Sequence, residues 1–189
     1  MILKTKFKDL VLYQNISFKD KRGYFKELLL ERNLKKKFPF AVMSFSKKNV
    51  IRGLHIQLKK PQGKFVTVLK GKIFDVALDL RKGSKTFGKV FKCILSEKNN
   101  KSIYIPPGFA HGFCSLEKEN YVIYSCTKYR DASSETSIRY NDKKLKINWP
   151  IKKPIISKKD KKAQSFEEFK KKINCEKKNT YNWWRRKIC

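Results

Sequence analysis

Two histidines occur in the chain, His55 and His111, each beside glycine: Arg52-Gly53-Leu54-His55 and Gly108-Phe109-Ala110-His111-Gly112-Phe113. An unperturbed imidazole changes charge near neutral pH, so each could move a proton under physiological conditions. Arg52 precedes His55 by three residues, and a guanidinium suits the paired oxygens of a phosphate. For both side chains to reach one site the strand must bend between them, and Gly53 can supply that bend. A lone histidine is more often structural than catalytic, so residue type by itself leaves both roles open.

The same scarcity bears on metals. Barrel enzymes that hold a transition metal usually need several histidines and a carboxylate, whereas this chain has two histidines and no His-x-His. No metal is expected, although composition leaves a mixed Asp/Glu/His site open. GxGxxG, the P-loop sequence and GxSxG do not occur, which removes dinucleotide-binding, P-loop and α/β-hydrolase readings. Asp20-Lys21-Arg22-Gly23 reads as a surface turn with a solvated arginine, leading into a strand. Ser157-Lys158-Lys159-Asp160 reads, on composition, as a charged loop.

Short β-type runs between turn signals must position these groups. The clearest pair is Lys64–Leu69 and Ile73–Arg81, joined by Lys70-Gly71-Lys72. In the second run Phe74, Val76, Leu78 and Leu80 alternate with Asp75, Ala77, Asp79 and Arg81, which predicts a half-buried strand with one polar face. Further runs are Tyr24–Leu30, Phe40–Ser46, Lys89–Leu95, Ser102–Ile105, Gly112–Leu116 and Tyr121–Lys128. Helix-like pattern is confined to Glu31–Lys37 and Ser165–Ile173, the latter with a capping box of Ser165 and Glu168. Many short strands at this spacing predict an all-β antiparallel sandwich or barrel such as a jelly roll, with short peripheral helices.

At 189 residues, with 40% hydrophobic residues, 14 Phe and 8 Tyr, the chain can build one real core. One domain over residues 1–174 and a basic C-terminal tail over 175–189 are expected. No apolar stretch is long enough to span a membrane, and the first residues, Met1-Ile2-Leu3-Lys4, lack a signal-peptide pattern. The five cysteines form no CxxC pair and leave one over, as reduced thiols would. Together these predict a cytoplasmic protein with no membrane partner. The net charge of +31 would ordinarily raise nucleic-acid binding. The excess is almost entirely lysine spread through the loops, which A/T-rich coding also produces, and no nucleic-acid reading motif accompanies it. Nucleic acid is therefore not an expected partner.

Taken in order along the chain, the motifs resemble the dTDP-4-dehydrorhamnose 3,5-epimerase family. They are Asp20-x-Arg22-Gly23-x-Phe25-x-Glu27, Arg52-Gly53-Leu54-His55-x-Gln57, Gln62-Gly63-Lys64-x-Val66 and Phe74-Asp75-Val76-Ala77-x-Asp79-x-Arg81. Gly83-Ser84-x-Thr86-Phe87-Gly88, Ile105-Pro106-x-Gly108-Phe109-Ala110-His111-Gly112-Phe113, Asn141-Asp142, Ile147-x-Trp149-Pro150 and Ser157-x-Lys159-Asp160 follow. The resemblance covers roughly residues 10–165. It implies a cupin-type jelly-roll barrel, a homodimer, no cofactor and a nucleotide-linked 4-keto-6-deoxyhexose as substrate, in dTDP-rhamnose formation for surface polysaccharide. It further implies that His55 is the base, Asp160 its orienting carboxylate, Tyr124 the acid on the opposite face, and Lys64 the cation beside the C4 oxygen. Arg22, Phe25, Glu27, Arg52, Gln57, His111, Arg130 and Lys159 are implied to meet the substrate. The chain departs from the family where a Gln-x-Asn is usual and Phe40-Ala41-Val42 stands, and where Arg130 replaces a second tyrosine, with Tyr129 one place earlier.

Overall fold

The computed structural model describes residues 1–29 and 31–173; the basic tail and Leu30 lie outside the described residues. The strands are β1 (Ile2–Lys4), β2 (Val11–Gln14), β3 (Ser17–Asp20), β4 (Gly23–Lys26), β5 (Phe40–Lys47), β6 (Ile51–Gln57) and β7 (Lys64–Lys70). They continue with β8 (Lys72–Asp79), β9 (Val90–Ser96), β10 (Lys101–Ile105), β11 (Phe109–Ser115), β12 (Glu119–Cys126) and β13 (Glu135–Ser137). Short helices are α1 (Glu31–Leu34), α2 (Lys158–Lys161) and α3 over residues 166–173. The strand pairings are antiparallel and make a six-stranded sheet, β1-β2-β10-β7-β12-β5, and a five-stranded sheet, β13-β6-β11-β8-β9. Hairpin β3–β4 pairs only with itself among the described residues. This is an all-β antiparallel jelly roll, one of the folds that the short strands predict, and it has the cupin-type form that the family resemblance implies.

The two sheets close on a core drawn from both: Val66, Val68, Ile103, Ile105 and Val122 from one, and Ile73, Ala77, Leu95, Phe109 and Phe113 from the other. A second cluster lies on the far side of the five-stranded sheet. There Leu54, Val76, Leu78 and Ala110 meet Ile138, Leu145, Phe166 and Phe169 from the C-terminal third.

That second layer overturns one expectation. β8 is not half-buried, because both of its faces are covered. Asp75 and Asp79 point away from Val76 and Leu78, yet both are fully buried. Asp79 is satisfied by Arg81, Ser84 and Thr86 at 2.6–3.0 Å. Alternation assigns residues to faces, but it does not say which face meets water.

Other boundaries moved for local reasons. The Tyr24–Leu30 run is a strand only through Lys26. α1 stops at Leu34, because Lys35 turns to φ +51°. The capping box of α3 is present: Ser165 N–H donates to Glu168 Oε2 at 2.6 Å, and Glu168 N–H donates to Ser165 Oγ at 3.2 Å. Ser157–Asp160 is not a charged loop. Ser157 caps α2, its Oγ accepting from Asp160 N–H at 3.0 Å, and the helix buries Asp160 to 3% exposure.

Candidate functional site

Along several strands, residues that face the barrel interior change from apolar to polar toward one end. On β7, Val68 and Val66 give way to Lys64, and on β12 Val122 gives way to Tyr124; on β11 a single polar residue, His111, stands between Phe109 and Phe113 on the interior face. These polar positions open onto a cleft of about 350 Å³ between the sheets. Its wall includes His55, Arg52, Gln57, Lys64, His111, Tyr124 and Arg130 from among the expected residues.

His55 and His111 are direct cross-strand partners on β6 and β11. The register shifts between His111 and Phe113, and Gly53, at φ +122°, makes the bend that carries Arg52 and His55 to the same cleft. A Cβ on Gly53 would lie 2.5 Å from Gly112 Cα, so the two backbones approach too closely for any side chain.

Each histidine has a buried carboxylate. His55 Nε2 lies 2.6 Å from Asp160 Oδ1, and the other oxygen of Asp160 accepts from Gly53 N–H at 3.3 Å. Burial would raise the Asp160 carboxyl, but the bond to His55 and the charge there, together with Gly53 N–H, hold it below the usual carboxylate range. His111 Nε2 lies 2.8 Å from Asp75 Oδ2. A carboxylate bound to one ring nitrogen fixes the tautomer and leaves Nδ1 as the basic nitrogen.

The six-stranded sheet supplies the facing groups. Desolvation inside the barrel lowers the proton affinity of the Lys64 amine, opposed by Cys126, Glu135 and Asp75. It raises that of the Tyr124 phenol. Tyr124 Oη is 3.2 Å from Ser44 Oγ on β5. Phe40, Val42 and Ser44 alternate along that strand and line the cleft, so the wall is apolar where the Gln-x-Asn pair is usual. Arg52 donates to Ser46 Oγ and to the Phe45 carbonyl, both at 2.9 Å.

The rim is cross-braced. Glu135 lines the cleft and binds both Arg130 and Lys159 at 2.8 Å. Burial would raise its carboxyl, but the two cations hold it at about 2. Gln57 accepts from Asp131 N–H at 2.8 Å and donates to the Lys60 carbonyl, fixing the loop after β12. Lys159 and Asp160 line a separate recess behind His55. Motif and composition did not single out Ser44, Asp75 or Glu135 as site residues. Ser44 could have been found by extending the Phe40–Val42 alternation one step.

Arg22, Phe25 and Glu27 are not brought to this cleft within the chain. Arg22 is 90% exposed in the β3–β4 turn and pairs with Asp20 at 2.6 Å, the solvated arginine of the compositional reading. Phe25 is 67% exposed beside Phe18, and Glu27 lines a different recess. Among the described residues no three His, Cys, Asp or Glu side chains converge as metal ligands would.

Comparison with known proteins identifies the family to which this fold and sequence belong. The family model described as dTDP-4-dehydrorhamnose 3,5-epimerase matches residues 4–168. The dTDP-4-dehydrorhamnose 3,5-epimerase of Shigella flexneri is 39% identical over 172 residues, 87% of this chain and 95% of that one. The rmlC epimerase of Mycobacterium tuberculosis superposes with a TM-score of 0.87 at 30% identity, over 91% of each chain. The dTDP-6-deoxy-D-glucose-3,5-epimerase of Legionella pneumophila, solved with dTDP-4-keto-L-rhamnose, gives 0.84 at 40% identity, over 87% of this chain and 92% of that one. A jelly roll whose polar end gathers His55, Lys64, His111 and Tyr124, matched over nearly its whole described length, belongs to the dTDP-4-dehydrorhamnose 3,5-epimerase family of isomerases.

Proposed function

We propose that the chain inverts C3 and C5 of dTDP-4-dehydro-6-deoxy-D-glucose to give dTDP-4-dehydro-L-rhamnose, on the route to dTDP-rhamnose and surface polysaccharide. The observation that carries this reading is that His55 and Tyr124 reach one cleft from opposite sheets. Inverting a carbon requires a proton to leave one face and another to arrive at the opposite face. A base and an acid on facing sheets suit that need.

The C4 ketone acidifies the protons at C3 and C5. His55 removes one, with Asp160 fixing its tautomer and stabilising the imidazolium that forms. The electron pair passes to the C4 oxygen as an enolate, which the Lys64 cation stabilises in a site shielded from water. Tyr124 returns a proton to the other face of the carbon, and the sequence repeats at the second centre. Arg52, His111, Gln57 and Arg130 hold the sugar and diphosphate around these groups, and Lys159 acts from behind the cleft through Glu135. No metal or redox cofactor enters this sequence, since the ketone is already in place.

The working unit in this reading is a cytoplasmic homodimer. β5 is the edge of its sheet and exposes Met43 and Phe45 on the face away from the cleft, while the β3–β4 hairpin exposes Phe18, Tyr24 and Phe25. Apolar surface of this kind favours a second copy. The hairpin of one copy would then carry Arg22, Phe25 and Glu27 to the nucleotide in its partner's cleft.

The apolar wall of Phe40 and Val42 favours a second reading, an epimerase that inverts one centre or takes another nucleotide-linked 4-keto sugar. Incubation with dTDP-4-keto-6-deoxyglucose in deuterated water, followed by NMR, separates the two. Deuterium at both C3 and C5 supports the first reading and deuterium at one carbon the second. No exchange at either carbon contradicts this substrate.

A further inference from the structure

We propose that Ser44 is a positioning residue for Tyr124: its hydroxyl orients the phenol and then donates to the phenolate left when the phenol has given its proton away. This rests on the reading of Tyr124 as the acid.

The strand register makes the contact. On β5 and β12, Val42 pairs with Tyr124 and Ser44 with Val122, so the phenol reaches diagonally back to Ser44, 3.2 Å from Oη to Oγ. His111 and Phe113 flank the ring from the other sheet, with centroids 6.0 and 6.4 Å away. Phe40 and Val42, the other cleft-facing positions on this part of β5, carry no polar side-chain atom. Ser44 is thus the side chain placed to bond the phenol from that wall. Two residues further along β5, Ser46 holds Arg52 in the same manner. One strand face therefore sets both an acid and a cation.

A phenol that donates a proton in a desolvated site must survive as an anion, and a hydroxyl bonded to that anion stabilises it. The steps balance. The enolate electron pair forms the new C–H bond with the Tyr124 proton, and the O–H pair stays on the phenolate. Ser44 then donates its hydrogen bond to the phenolate, which takes a proton from water before the next inversion. Removal of Ser44 weakens delivery of the proton but not its abstraction by His55. His55 can still return a solvent deuteron to the face it took a proton from, giving exchange without inversion.

The test compares Ser44→Ala, Ser44→Thr and Tyr124→Phe on dTDP-4-keto-6-deoxyglucose in deuterated water, with NMR reading deuterium in recovered substrate and in product. For Ser44→Ala, product formation should fall about tenfold or more, the scale of one lost hydrogen bond to a charged group. Deuterium uptake into recovered substrate should stay near the wild-type rate. Ser44→Thr keeps the hydroxyl and should restore product formation, which a purely structural role would not predict for a bulkier residue. A Ser44→Ala enzyme with wild-type product formation overturns the proposal. So does a folded Ser44→Thr enzyme no better than Ser44→Ala. If Tyr124→Phe still makes product, the acid assignment fails and the Ser44 proposal with it. If Tyr124→Phe makes none while Ser44→Ala is normal, only the Ser44 proposal fails.

Discussion

His55 Nε2 and Asp160 Oδ1 lie 2.6 Å apart, although 105 residues of chain separate them. Two unrelated pieces of architecture bring them together. The Gly53 bend in β6 presents the imidazole, and α2, capped by Ser157, presents the carboxylate from behind.

Asp160→Asn tests the carboxylate's part in this pair. An amide can bind the ring but cannot balance the charge of an imidazolium. We expect kcat to fall at least about a hundredfold with KM little changed, as measured by steady-state kinetics. An unchanged kcat would remove Asp160 from the mechanism.

Gly112→Ala probes the close approach of β6 and β11. The added Cβ would meet the Arg52 carbonyl at 2.6 Å and Leu54 Cδ2 at 2.8 Å, so the strands must part beside both histidines. We expect a loss of about 1–3 kcal/mol in denaturant unfolding, together with a loss of activity.

Local pattern made the β7–β8 hairpin legible, because its period of two and its turn are both strong signals. The same pattern misread Asp75 and Asp79 as a wet face: they share the face of Ile73 and Ala77, which turns into the barrel, while the Val76 and Leu78 face is covered by Ile138, Leu145 and Phe166 from distant sequence. The bend of β6 at Gly53 was legible from the spacing of Arg52 and His55, but the extent of the strand, Ile51–Gln57, was not, because the bend breaks the alternation that marks a strand. No local rule could pair His55 with Asp160; only the order of motifs along the chain suggested it. Glu135 was missed because β13 is three residues long and has no periodicity to read. Arg22, Phe25 and Glu27 show the opposite case, where motif order named residues that one copy of the chain keeps away from the cleft.

Asp79 should govern acid stability. Burial would raise its carboxyl, but the bonds from Arg81, Thr86 and Ser84 bring it from 3.8 to about 2 in the fold. A depressed folded value means that the contribution is complete above about pH 4 and is lost as pH falls through about 2. Asp79→Asn should cost about 2 kcal/mol at neutral pH and flatten the stability profile between those values. Urea unfolding across pH would show a parallel profile if this account of Asp79 were wrong.

Lys64→Met leaves the developing enolate without its cation. We expect kcat to drop about 10²–10³-fold, the usual scale for loss of one such stabilising group. In the wild type, burial lowers the lysine's proton affinity, so the cation is lost as pH rises through a value below the ordinary 10.5. The alkaline limb of the kcat profile should therefore fall before that point.

In the proposed reaction His55 removes the protons beside the ketone. Deuterium wash-in by the His55→Ala variant, read by NMR on dTDP-4-keto-6-deoxyglucose in deuterated water, tests it most directly. Uptake at C3 and C5 should fall to the uncatalysed rate while the variant keeps its fold and binds dTDP. Uptake by a folded His55→Ala enzyme at the wild-type rate would contradict it.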